Sequence, residues 1–239
     1  MTFWDHLDEL RNRLLHCLAV TVVLGIVAFL FKQQLFDIVL APRTSNFVTY
    51  RLMGVEPFQV GLMNTGLTEQ FMIHLRVALY TGLLLASPYV LYQLFAFVSP
   101  ALYENERRYT LQIVGSAYIM FAVGTILNYL LIFPLTVRFL GTYQVSPEVA
   151  NMLTLQSYVD TLITMSLVIG AVFELPVVCW ILGRMGLLSR QRMRNYRRHA
   201  VVAILIVAAI ITPTTDAFTL AIVALPIWLL YEASIFLAP

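Results

Sequence analysis

Three groups of acidic residues stand out by where they fall: Asp5, Asp8 and Glu9 near the start, Glu104 and Glu106 in the middle, and Glu174 alone in an apolar stretch. In such places a carboxylate can hold a cation, and arginine best, because a planar guanidinium donates two parallel hydrogen bonds to one carboxylate. No reaction chemistry accompanies them. There is no G-x-S-x-G, H-E-x-x-H, C-x-x-C, P-loop or G-x-G-x-x-G, and His6, His16, His74 and His199 are too scattered for a metal site. Cys17 and Cys179 lie in apolar runs, where a free Cys is a small buried hydrophobe. The expectation is a binding protein with no enzymatic activity, cofactor or metal.

Each acidic group has two readings. Phe3, Leu7, Leu10 and Leu14 form an apolar stripe that can lie on a membrane, with Asp5, Asp8 and Glu9 turned to water. Glu104 and Glu106 adjoin Arg107 and Arg108. By charge alone both groups are solvated faces with local pairs worth a few tenths of a kcal/mol. The sharper alternative is two carboxylate sites on one surface that take a cationic ligand. Glu174 lies 14 residues past Asp160, about 21 Å along a helix, at a depth where an acid costs roughly 2.5–3.5 kcal/mol. Pro176 removes a backbone donor two residues on, kinking the helix and opening a hydrated hollow beside the carboxylate. The alternative is a protonated Glu174 bonded to a neighbouring helix.

The elements that must position these groups are membrane helices. Of the 239 residues, 60% are hydrophobic and 12% charged, against about 25% charged in a soluble domain. That excludes a soluble enzyme, a disordered chain and a disulfide-stapled module. A net charge of +2 argues against a nucleic-acid partner. Uncharged runs of 18 residues after Arg13, 27 after Arg76 and 29 after Arg108 locate spans 1 to 3. The 23 residues between Asp160 and Arg184, apolar apart from Glu174, are span 4, and Ser157 to Asp160 resembles a capping box at its start. Between His199 and Tyr231, the run Thr212-Pro213-Thr214-Thr215-Asp216 ends one helix and caps the next, giving short spans 5 (200–212) and 6 (217–231), the latter short unless it continues past Glu232. With six spans, ten basic residues face one side (Arg11, Arg13, Arg107, Arg108 and the six from Arg184 to Arg198) and five the other, which places both termini in the cytoplasm.

The expected architecture is thus an all-α membrane protein, a single polytopic domain over 1–239, with a cytoplasmic amphipathic helix over 1–15. Residues 32–68, with Pro42, Gly54, Pro57, Gly61 and Gly66 among short apolar pieces, are an ordered outer cap. A second outer loop spans 138–156, where Ser146-Pro147-Glu148 starts a short helix. Pro88, Pro134, Pro176 and Pro226 place kinks in four spans, favouring a concave arrangement.

Three runs carry a resemblance: His6-Leu7-Asp8-Glu9-Leu10-Arg11-Asn12-Arg13-Leu14; Tyr92 to Arg108, which contains Phe97-Val98-Ser99-Pro100-Ala101-Leu102-Tyr103-Glu104-Asn105-Glu106-Arg107-Arg108; and Phe173-Glu174-Leu175-Pro176-Val177-Val178. In order, spacing and six-span topology the chain resembles the TatC family, the multispanning core of the twin-arginine protein translocase. The resemblance implies a receptor for twin-arginine signal peptides of folded cargo, in a bacterial-type inner membrane. It also implies TatA- and TatB-type single-span partners, an oligomeric receptor complex, lipid contact and transport driven by the proton-motive force. Carried over by motif, Glu9 and Glu106 are the carboxylates for the paired arginines, with Phe97 and Arg108 on the same surface. Glu174 is the intramembrane polar site, and Pro42, Pro100 and Pro176 are structural. The family commonly has Thr-Pro-Pro-Asp and then Phe-Ser-Gln between spans 5 and 6. Here one extra residue is present and Leu220 replaces the Gln. Thr212, Thr215 and Asp216 are still assigned to partner-helix docking, as exposed polar groups on short helices. A six-span secondary transporter would also carry a midplane carboxylate, but the inverted hydropathy halves of such folds are missing. A scaffold that only clusters other membrane proteins would leave the acidic surface unexplained.

Overall fold

The computed structural model describes residues 3–98, 110–143, 146, 152–212 and 216–237. The described elements are helical but for one pair of two-residue strands. Among the described residues, five helical stretches are long and apolar enough to cross a membrane: His6–Leu30, Glu69–Phe97, Leu111–Thr142, Leu155–Arg184 and Ala217–Leu237. The chain divides into two compact units, Met1–Leu35 with His74–Met120, and Phe36–Ile73 with Phe121–Pro239.

In the first unit, α1 (Phe3–Leu30) and α4 (Glu69–Val98) cross closely. The amphipathic N-terminal segment is no separate element; it forms the first turns of α1, which runs on unbroken for 28 residues. The crossing depends on glycine. A Cβ on Gly82 would lie 2.5 Å from Gly25 N and 2.6 Å from Thr21 O, both backbone atoms that cannot yield. Near one end of the crossing, Phe29 stacks on His74, ring centroids 3.9 Å apart. Pro88 lies inside α4 and cannot donate to the carbonyl four residues back. Ser87 Oγ donates to that Leu84 oxygen instead, at 2.7 Å, so the helix continues through the proline.

In the second unit the first long loop is ordered. It holds α2 (Lys32–Leu40), a 3₁₀ turn (Ala41–Arg43), α3 (Val48–Leu52) and β1 (Leu62–Met63). Strand β1 pairs in parallel with β2 (Leu153–Thr154), Leu62 opposite Leu153. The loop grips a defect in the spanning stretch Leu111–Thr142. Helix α5 (Thr110–Leu127) passes through a π-helical segment, Asn128–Ile132, into α6 (Phe133–Thr142). Pro134 at the start of α6 cannot donate to Leu130 O, and Thr49 Oγ1 donates there in its place. The Tyr50 hydroxyl, fully buried, lies 2.7 Å from Pro134 O and 3.0 Å from Pro42 O, its one hydrogen shared between them. Burial pushes the Tyr50 phenol up from its ordinary range, which keeps that hydrogen in place. Tyr129 and Tyr158 donate to Ile38 O at 2.7 Å and Val39 O at 2.9 Å. Four hydroxyl side chains thus bind the loop to the helices.

Two expectations need correction. Helix α7 (Leu155–Phe173) is capped by Thr154, whose side chain accepts from Ser157 N at 3.1 Å, so it starts before the expected capping box. Helix α10 (Arg197–Ile211) is short, 15 residues, but α11 (Ala217–Leu237) has 21 and is not. Glu232 does not end it, because Arg197 pairs with that carboxylate and neutralises it. The short helix expected to start at Ser146-Pro147-Glu148 falls, beyond Ser146, outside the described residues.

The close crossing predicts that Gly82→Ala lowers the thermal stability of the detergent-extracted protein by about 1–3 kcal/mol, the usual cost of overpacking. Gly115→Ala, whose Cβ would meet nothing within 4 Å, serves as the comparison. It is expected to leave stability unchanged or raise it by up to about 1 kcal/mol, the difference in helix propensity.

Candidate functional site

Glu9 lies in the second turn of α1, where an arginine four residues on shares its helix face. Arg13 Nη2 and Nε donate to Glu9 Oε1 at 2.6 and 3.0 Å, so one carboxylate oxygen takes the whole fork. Arg13 is held in turn from α4: its Nη1 donates to Gln93 Oε1 at 2.9 Å, and Gln93 Nε2 donates to Tyr89 Oη at 2.7 Å. Glu9 does not face water, as the stripe suggested; its side chain is 23% exposed and that of Arg13 is 27% exposed. Its other oxygen, Oε2, is buried without a hydrogen-bond partner among the described residues, with His6 Nδ1 at 4.0 Å. His6 stacks on Phe97 across the same face, centroids 4.2 Å apart at 16°. The geometry combines an anchored carboxylate, one open acceptor and an aromatic floor. Such a site suits a second guanidinium, which can bond to Oε2 and lie flat near the rings. Glu106, Arg108 and Pro100 fall outside the described residues.

The Arg13–Glu9 spacing is visible in the sequence. Gln93 and Tyr89 are not, because they reach the site only through the crossing of α1 with α4.

Glu174 caps the end of α7 and precedes α8 (Leu175–Arg184). Pro176 occupies the first turn of α8 and is buried. Glu174 N donates to Ala171 O at 3.1 Å, and Val178 N donates to Glu174 O at 2.9 Å, so its backbone bridges the break. Phe173 beside it lies against α5 at Gly124, where a Cβ would come within 2.7 Å of the ring. Glu174 Oε1 is buried with no partner among the described residues. Deeper in the same unit, Asn128 at the start of the π segment donates to Ser166 Oγ at 2.8 Å, while its Oδ1 is unpartnered among the described residues. The sequence reading missed this pair because both residues are uncharged and sit in apolar runs.

Between α10 and α11, Thr212 is 6% exposed and its hydroxyl has no partner among the described residues. It is therefore buried, contrary to the exposed hydroxyl expected there. Asp216 Oδ2 accepts from Thr219 N at 2.7 Å and caps α11. Thr215 lies outside the described residues. Pro42 is buried in the 3₁₀ turn, with its carbonyl facing Tyr50.

Helices of spanning length define a multi-pass membrane protein. The family model described as "Sec-independent protein translocase protein (TatC)" matches residues 5–226, and the chain belongs to the TatC family. Sec-independent protein translocase protein TatC of Deinococcus radiodurans is 36% identical over 236 residues, covering 98% of this chain and 84% of the relative. The protein of the same name from Aquifex aeolicus is 29% identical, covering 99% and 94%. Two crystal structures of a twin-arginine translocase receptor, TatC, superpose with TM-scores of 0.81 and 0.82. Each is 29% identical and covers 98% of this chain, matched over 97% and 99% of the respective solved chains. The family is one of protein translocase components, which removes the support for a small-solute transporter.

Because Glu174 Oε1 holds no neighbouring donor, Glu174→Ala should leave nothing unsatisfied. Stability in detergent is expected to hold or to rise by up to about 2.5–3.5 kcal/mol, the insertion cost removed, while transport of a folded cargo falls. Lost stability with normal transport would show Glu174 to be a packing residue.

Proposed function

We propose that this protein is the signal-peptide receptor and core of a twin-arginine translocase. It crosses a bacterial-type inner membrane six times with both termini in the cytoplasm, the orientation that the ten-to-five split of basic residues favours. In this reading α10 is the remaining span, shorter than the others. The surface carrying Glu9 takes the paired arginines of the signal, with Glu106 as the second carboxylate and Phe97 and Arg108 flanking. Glu174 then serves the inserted signal or a partner helix, and the segment Thr212, Thr215 and Asp216 faces TatA- or TatB-type partners. The proton-motive force drives the transport of folded cargo, and the receptor works as an oligomer.

One observation carries the proposal. Glu9 has one oxygen filled by its own arginine and the other buried and open. A buried acceptor without a donor costs on the order of 1–3 kcal/mol, a cost that an incoming guanidinium relieves. Arg13 does more than neutralise the site: it holds the carboxylate rotamer, so the ligand meets a fixed acceptor. The solved relatives are structures of a twin-arginine translocase receptor, which agrees with this use.

Glu9→Gln keeps an oxygen for Arg13 and removes the charge, and Glu106→Gln does the same at the second carboxylate. For each variant, affinity for a twin-arginine peptide is expected to drop by about 1.5–3 kcal/mol, roughly tenfold to a hundredfold in Kd, with thermal stability close to that of the parent. Unaltered affinity in both variants would falsify the site.

A further inference from the structure

The largest group of like charge in the sequence belongs to none of these sites. Residues 175–215 contain six arginines and no Asp or Glu. Arg197 is spent on Glu232. Arg184, Arg190, Arg192, Arg194 and Arg198 are exposed, and none forms an ion pair among the described residues. We propose that the turn joining α8 to α10 is a binding site for the phosphate headgroups of anionic phospholipid.

The turn is built, not loose. Gly186, at φ 73°, reverses the chain after α8, and the amides of Leu187 and Leu188 both donate to Leu182 O, at 3.0 and 3.2 Å. Ser189 then caps the six-residue helix α9 (Arg190–Asn195) by accepting from Arg192 N. Met193 pins α9 inward: it is buried against Ile235 beside Cys179, Leu188 and Tyr231, and Tyr231 Oη donates to its carbonyl at 2.8 Å. With Met193 turned in, Arg190, Arg192 and Arg194 are left facing out. Several guanidiniums are also pre-positioned. Arg190 lies over Phe236 at 5.4 Å, Arg184 over Trp180 at 5.2 Å, and Arg192 Nη1 donates to Leu187 O at 3.2 Å.

The surroundings favour a lipid over a soluble anion or an acidic protein. Leu187 and Tyr196, 59% and 61% exposed, flank the arginines on the same turn, at the end of a span-length apolar helix. An apolar side chain next to a guanidinium fork needs a partner that offers acyl chain and phosphate together, as the membrane interface does. A cationic signal peptide would be repelled here, so the proposal does not depend on the reading of Glu9.

The test uses the full chain reconstituted in phosphatidylcholine vesicles containing a trace of spin-labelled phosphatidylglycerol or spin-labelled phosphatidylcholine, read as the ratio of motionally restricted label. The parent is expected to enrich phosphatidylglycerol, and the enrichment to fall as salt is added. The triple change Arg190→Gln, Arg192→Gln, Arg194→Gln is expected to bring the ratio toward one, each arginine contributing up to about fivefold. Arg43→Gln with Arg51→Gln, on the first long loop, should leave it unchanged. No enrichment in the parent, enrichment indifferent to salt, or an equal loss in the Arg43/Arg51 variant would each overturn the proposal. The salt series needs no variant, so a triple mutant that fails to fold still leaves the proposal exposed to refutation.

Discussion

A chain in hydrocarbon has no water to satisfy its polar groups, so each must find a partner within the protein or carry an energetic cost. The helices bear this constraint where prolines interrupt them. Pro88 leaves Leu84 O free and the neighbouring Ser87 hydroxyl takes it. Pro134 leaves Leu130 O free, and the repair comes from Thr49, 81 residues away in sequence. The second repair has a structural consequence that the first lacks, since it ties the first long loop to a span. Tyr50, Tyr129 and Tyr158 extend the same tie.

Against this background the polar atoms left open gain meaning. Asn128 Oδ1, in the π segment, is one such atom with no assigned role; three others, Glu9 Oε2, Glu174 Oε1 and Thr212 Oγ1, are also buried and unpartnered among the described residues. Each of these three lies in a segment where the TatC resemblance implies contact with a signal or a partner helix. Glu9 is the most specific of the three, because Arg13, Gln93 and Tyr89 fix the geometry of its carboxylate while leaving one acceptor unused. A site of this kind is pre-organised for a donor, which lowers the ordering cost at binding.

Much of this was legible in the sequence. Charge spacing located the spans, and Pro176 after Glu174 marked the break between α7 and α8. The pairing of Glu9 with Arg13 follows from their four-residue spacing. What escaped were the partners made by tertiary contact. Glu232 looked like the end of the last helix because Arg197, which neutralises it, stands 35 residues away. Thr212 looked exposed because a hydroxyl beside a proline usually sits in a turn, whereas packing buries it. Gln93, at the other end of Arg13, gave no signal of its own, since its role depends on two glycines letting α1 and α4 meet.

The proposed role of Glu9 is to accept a guanidinium on its open oxygen. It is tested most directly by calorimetric titration of the purified full chain with a signal peptide carrying Arg-Arg and with the same peptide carrying Lys-Lys. A lysine keeps the charge but cannot offer the planar two-donor fork. The Arg-Arg peptide is expected to bind at least about tenfold more tightly, as one charge-assisted hydrogen bond requires. Equal affinities for the two peptides would contradict it.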